Sequence, residues 1–377
     1  MSASPEATVT TARTPAGPTA QASARWYPLG LDRSRITGGF WAPRQLRNGV
    51  QAIPFGQDQL ESAGNLHNLR LAAGIGEGDA IGPVFADSDV YKWLEAIAWE
   101  YGRRPSEDLL KRLRELTTIV AAAQREDGYL DSVVQLRYGD EGRYQKLVWS
   151  HEHYCAGHLI QAAVAQVRCT GDRALLEVAI KLADHLVATF GEGKTVDIDG
   201  HPVIEMALVE LYRETGTQSY LDQARWFVEA RGRGVIAAHG HEPGYFSDRL
   251  PVREAVTVEG HAVRAVYLAA GAADVAMETG DTQLLEALET QFAHMLATKT
   301  YLTGGLGARW EGEAFGDEYE LPSDRAYAET CAAIGGISGP GGCSSQPATR
   351  RTGMPSSACS TTASWPESRS TAPSTST

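Results

Sequence analysis

The chain has 377 residues, 43% hydrophobic and 21% charged, which is enough apolar material for one large core or two ordinary ones. A formal net charge of −13 repels polyanions over most of the surface and argues against nucleic-acid partners, and no run of 18 apolar residues occurs, so no transmembrane helix is expected. The five cysteines (Cys155, Cys169, Cys331, Cys343, Cys359) lack CxxC spacing and suit a reducing compartment, so a soluble, cytoplasmic protein is expected.

Residues 1–24 are rich in Ala, Thr, Ser and Pro, match neither a secretory signal nor an anchor, and read as a disordered arm. From residue 25 to 337 the dominant period is helical. Val90, Leu94, Ile97 and Tyr101 fall at three- and four-residue steps, and Leu109, Leu113, Leu116 and Val120 continue the pattern. A weak repeat follows. Gly157-His158, Gly200-His201 and Gly260-His261 each read as opening a helical stretch, followed by Thr-Gly turns at Thr170-Gly171, Thr215-Gly216 and Thr279-Gly280. Helix, Thr-Gly turn, helix is the αα-hairpin unit. The uneven repeat disfavours a solenoid, so the expected fold is all-α, an (α/α) toroid of about six hairpins in which each hairpin buries a face on its neighbour.

Tyr301 to Ile334 is the densest constellation of chemical groups. It places Glu311, Glu313, Glu318, Glu320 and Glu329 near Cys331 in a Gly-rich loop, with a helix expected from about Ser323, whose hydroxyl can cap it. Such an acidic run is most often a solvated loop, and a carboxylate and a thiol two residues apart either share a metal or leave a lone cysteine. Residues 338–377 are dominated by Gly, Ser, Thr, Pro and Arg and read as a disordered tail. Written in GC-rich codons and read two bases on, the tail can give a peptide beginning QWPWRMLLATGD and ending FDNGVLAGVSLDGAVYFY, so an out-of-frame tail beginning near Ile337 is expected.

The strings GGFWAPR, AGNLHNLRLAAG, DSDVYKWLEA, QREDGYLDS, HEHYCAGHLI, GHPVIEMALVELYRETG, GHAVRAVYL and TGGLGARWEGEAF, with DRAYAETCAAI after them, together resemble the β-L-arabinofuranosidase family, glycoside hydrolase family 127. The resemblance spans about residues 25 to 337. It implies an (α/α)6 catalytic barrel, incomplete here at its C-terminal end and without the family's β-sandwich domains. It also implies a retaining hydrolase of terminal β-L-arabinofuranosyl residues. Glu313 resembles the general acid/base, Glu329 and Cys331 resemble two ligands of a zinc ion, and His151, His201 and His261 resemble the sugar-binding histidines. The family's HELYC reads HEHYC here, so His153 is a departure, and its PYQ-type sugar contact is not evident in IPFGQDQL. The nucleophile that the resemblance implies is a cysteine of an adjacent, zinc-held pair further on. No Cys-Cys pair occurs in this sequence, so the zinc site is expected to be incomplete and the chain inactive. The expected partner is a small carbohydrate or arabinose-containing glycan. The alternatives are a glycan-binding remnant without hydrolysis, or another (α/α)-barrel enzyme such as an unsaturated-uronide hydrolase or a sugar epimerase.

Overall fold

The computed structural model describes residues 13–24 and 27–338. Three helices lead in, α1 (Ala42–Arg47), α2 (Ile53–Ala63) and α3 (Asn65–Ala72), before the long pair α4 (Ala86–Arg103) and α5 (Glu107–Ala123). The short α6 (Ser132–Arg137) and α7 (Leu147–Ser150) precede the pair α8 (Glu152–Thr170) and α9 (Ala174–Thr189) and the pair α10 (Ile204–Thr215) and α11 (Gln218–Ala230). After α12 (Val235–Ala238) come α13 (Ala262–Thr279), α14 (Thr282–Thr298) and α15 (Thr330–Ser338). Among the described residues, β-type pairing is confined to isolated bridges.

The first helix of each pair packs on the first helix of the next, in the order α4, α8, α10, α13, α15. Sequence explains which helices lie inside. α8 and α13 are buried on nearly every face, as inner helices must be, whereas α5 and α14 bury a single stripe. The expected all-α (α/α) toroid is the fold observed, and Val90, Leu94, Ile97, Leu109, Leu113, Leu116 and Val120 are all in its core.

The three Thr-Gly turns are built alike. Thr170, Thr215 and Thr279 each donate a side-chain hydrogen bond to the carbonyl four residues back, and the glycine that follows ends the helix in the left-handed region, which costs glycine no Cβ clash. The Gly-His reading holds less well. His261 caps α13 through Nδ1, which accepts from the Val263 N–H, and His201 lies just before α10, but Gly157-His158 sits in the middle of α8. Gly157 is there for packing: a Cβ on it would lie 2.8 Å from Val203 Cγ1 and 3.0 Å from the Ile204 nitrogen.

Two further expectations are corrected. No helix begins at Ser323; the backbone stays irregular to Glu329, and α15 starts at Thr330. Pro322 disfavours a helical Leu321, and Ala328 takes a φ of 45° while its N–H donates to the Gly307 carbonyl, which pins this stretch to the Gly-rich loop. The second half of the expected disordered arm, residues 13–24, is seated on the body. Arg168 donates to the Thr14 and Pro15 carbonyls, the Gly17 N–H donates to Glu210, and Thr19 donates through N–H and hydroxyl to Glu278. The reason is charge. Arg168 and Arg213 are buried with Glu210, Glu214, Asp274 and Glu278, two cations against four carboxylates, and the arm's donors meet the surplus acid. Residues 1–12 and the expected out-of-frame tail from 339 onward lie outside the described residues.

Candidate functional site

The helix starts of the inner ring carry the site. His151 stands between α7 and α8 with a left-handed φ of 59°, His201 precedes α10, and His261 caps α13. The rings follow one another, His151 to His201 at 5.9 Å and His201 to His261 at 5.8 Å between centroids. Asp199 ties two of these starts together. Its carboxylate accepts from the His201 N–H at 2.7 Å and from the His153 and Tyr154 N–H groups at 3.0 and 3.2 Å. Burial raises its pKa to about 6, against these hydrogen bonds.

The loop after α14 brings in the acids. The Phe315 N–H donates to the Gly260 carbonyl, and His261 bridges Ala314, so Glu313 is carried to the start of α13. There Glu313 Oε2 lies 3.0 Å from His261 Nε2. Glu313 has a φ of 51°, a left-handed conformation that a non-glycine residue holds only at some energetic cost. The Tyr327 hydroxyl hydrogen-bonds the same carboxylate. Ligating atoms of His261, Glu313 and Glu329 lie within 4.8 Å of one another, and the Cys331 thiol hydrogen-bonds Glu329. Lys92 faces the group from α4, with its ammonium 5.0 Å from the centre of the Tyr154 ring.

The imidazoles are neutral. Burial lowers the pKa of His151 and His261 to about 4, with Arg264 adding to the fall in both, and drives that of His201 well below its ordinary value. Their hydrogen bonds assign the tautomers. Nδ1 of His151 faces the Trp149 carbonyl at 2.7 Å and Nδ1 of His201 faces the Pro202 carbonyl at 3.0 Å, so each carries its proton there and has Nε2 as an acceptor. His261 is the reverse: Nδ1 accepts from Val263, so Nε2 carries the proton and donates it to Glu313. The site thus offers two imidazole acceptors, one carboxylate held by two donors, and an acid-thiol pair.

The sequence model of the β-L-arabinofuranosidase GH127 catalytic domain matches residues 34–338, most of the chain. The chain belongs to the GH127 family. It is 37% identical to the non-reducing end β-L-arabinofuranosidase of Bifidobacterium longum subsp. longum, a match that covers 79% of this chain and 52% of that protein. The crystal structure of a GH127 β-L-arabinofuranosidase from Geobacillus stearothermophilus T6 superposes with a TM-score of 0.77 at 35% identity, covering 81% of this chain and 51% of that one. A second solved GH127 β-arabinofuranosidase gives 0.80 at 36% identity, covering 85% and 51%. The chain therefore spans about half the length of the relatives it matches.

In this GH127 chain the six residues singled out from sequence, His151, His201, His261, Glu313, Glu329 and Cys331, are brought together by the contacts above. His153, the departure in the HEHYC string, is not part of the site; it is fully buried between Phe190 and Phe227. Sequence reasoning missed Lys92, Tyr154, Arg264, Tyr327 and Asp199. Tyr154 and Arg264 stand three residues after His151 and His261, on the same helical faces, and that spacing was the available signal. Arg264 donates to the Gly200 carbonyl and lies 5.0 Å from the Tyr245 ring centre. Among the described residues, no helix is long and apolar enough to cross a membrane.

Proposed function

We propose that this chain carries the sugar-binding cavity and the general acid/base of a retaining glycoside hydrolase specific for terminal β-L-arabinofuranosyl residues. The observation that supports it most is Glu313, held by the His261 N–H and the Tyr327 hydroxyl beside three neutral histidines and Glu329. Glu313, protonated at the start of the cycle, gives its proton to the departing glycosidic oxygen; as the carboxylate held by His261 and Tyr327 it later takes a proton from water and returns to its starting form. His151 and His201 accept hydrogen bonds from sugar hydroxyls through Nε2, and His261 fixes the Glu313 carboxylate. Neutral imidazoles suit this role because they bind hydroxyls without adding charge to a buried site.

Zinc fits Glu329 and Cys331. A carboxylate and a thiol are ordinary zinc donors, they already touch, and Glu329 Oε2 is buried without a hydrogen-bond partner among the described residues. In the metal-free state, burial and Glu329 push the Cys331 thiol up to about 11; a bound zinc supplies the charge that keeps a coordinated sulfur deprotonated. The group His261, Glu313 and Glu329 is a poorer cradle, since the Nδ1 of His261 is engaged by the Val263 N–H and its Nε2 bears the proton.

The family resemblance calls for a nucleophile from an adjacent cysteine pair, and no such pair occurs in the 377 residues. This chain alone then binds the sugar without turning it over, because acid/base assistance contributes about 10² to 10⁴-fold and a retaining mechanism also needs the attacking group. The test is an assay on p-nitrophenyl β-L-arabinofuranoside with added zinc, comparing this chain with a version whose reading frame is restored after Ile337. Turnover only by the restored version supports the reading. Full turnover by the 377-residue chain would overturn it and require another nucleophile among these residues.

A further inference from the structure

We infer that Trp310 is the platform on which the sugar ring of the leaving group stacks, so that the cavity is built to take the end of a glycan and not a lone arabinofuranoside. The inference rests on the reading of Glu313 as the group that protonates the leaving oxygen. Trp310 is 72% exposed, although an indole is large and mostly apolar. Its backbone begins the tight turn that ends at Glu313, whose N–H donates to the Trp310 carbonyl at 3.1 Å. Its ring meets the edge of Tyr327 at 5.4 Å with the planes 71° apart. Tyr327 in turn hydrogen-bonds Glu313.

The contacts therefore run in one order: His151, His201, His261, Glu313, Tyr327, Trp310. Glu313 thus contacts the histidine row through His261 and the two aromatics through Tyr327. A group that protonates a glycosidic oxygen has the cleaved sugar on one side and the leaving group on the other. His151 and His201 offer hydrogen-bond acceptors for the hydroxyls of the cleaved sugar, whereas an exposed indole face offers none. It matches the C–H face of a second sugar ring, which is weakly polarised and attracted to an aromatic π surface. A left-handed Gly312, packed on Tyr245, fixes the turn between the indole and the acid, so the platform and the proton donor keep a constant separation.

The experiment is calorimetric titration of the full chain with methyl β-L-arabinofuranoside and with a β-L-arabinofuranosyl disaccharide. The wild-type chain is expected to bind the disaccharide roughly tenfold more tightly, the scale of one aromatic stacking contact. Trp310→Ala should bring that ratio close to one, and Trp310→Phe should keep most of it. A wild-type ratio of one, or a ratio that Trp310→Ala leaves unchanged, overturns the platform. Failure of the underlying reading looks different: the wild-type chain would bind neither sugar, or His201→Ala would bind the methyl glycoside as tightly as wild type.

Discussion

His153→Leu is expected to stabilise the protein, and by more in acid than at neutral pH. The imidazole is fully buried, 4.5 Å from the Phe190 ring and 5.0 Å from that of Phe227, and neither ring nitrogen has a hydrogen-bond partner among the described residues. A buried donor or acceptor left unsatisfied costs about 1–3 kcal/mol. Leucine removes both and has a similar volume, while the lost edge contacts give back about 1 kcal/mol. The backbone N–H bond from residue 153 to Asp199 is kept. The net gain at pH 7.5 is about 2 kcal/mol. The sign in acid follows from linkage. Burial, with Arg231 and His185 adding to it, lowers the folded pKa of His153 to about 3, against about 6.5 in the unfolded chain. Between those values the unfolded state binds a proton that the folded state refuses, so the wild-type chain loses about 1.4 kcal/mol per pH unit through this residue. At pH 5 the advantage of leucine grows by a further 2 kcal/mol or so. Urea unfolding at pH 7.5 and pH 5 measures both numbers. A variant less stable than wild type at pH 7.5, or an advantage equal at the two pH values, would refute the reasoning.

Gly157→Ala should lower stability by about 2 kcal/mol or more, since the new methyl meets the Val203 side chain and the Ile204 backbone, and overpacking of this kind typically costs about 1–3 kcal/mol; thermal unfolding checks it. Thr19→Val should cost about 2 kcal/mol by removing the 2.6 Å donor to buried Glu278, and limited proteolysis should then cut within residues 13–24 faster than in wild type. Sugar affinity should be flat from pH 8 to pH 7, because the depressed pKa values of His151 and His261, near 4, leave both rings neutral there and Asp199, raised only to about 6, stays ionised; a loss of affinity within that window in calorimetric titrations would contradict it.

The fold was legible where a physical rule has a short range. The apolar stripes of α4 and α5 and the three Thr-Gly turns each follow from residues within one or two helical turns of one another. Gly157 was misread as a helix opener because its reason lies in another helix, the approach of Val203 and Ile204, and no local pattern reports that. The same holds for residues 13–24. Their composition is that of a disordered segment, and they are held by buried Arg168, Glu210 and Glu278, which are remote in sequence. In the site, the six singled-out residues came from motif resemblance and not from periodicity. Asp199 escaped notice because its part is played through backbone N–H groups of His153, Tyr154 and His201, and Tyr327 because it reaches Glu313 through a loop that the capping signal at Ser323 made look helical.

Titration of the 377-residue chain with methyl β-L-arabinofuranoside, alongside His151→Ala and His201→Ala, tests the central claim most directly. Losing one buried hydrogen-bonding group to a sugar costs roughly tenfold in affinity. The account predicts saturable one-to-one binding by the wild-type chain and a loss of about that size or more in each variant. Absence of saturable binding, or variants that bind as tightly as wild type, would contradict the assignment of this cavity as the arabinofuranoside site.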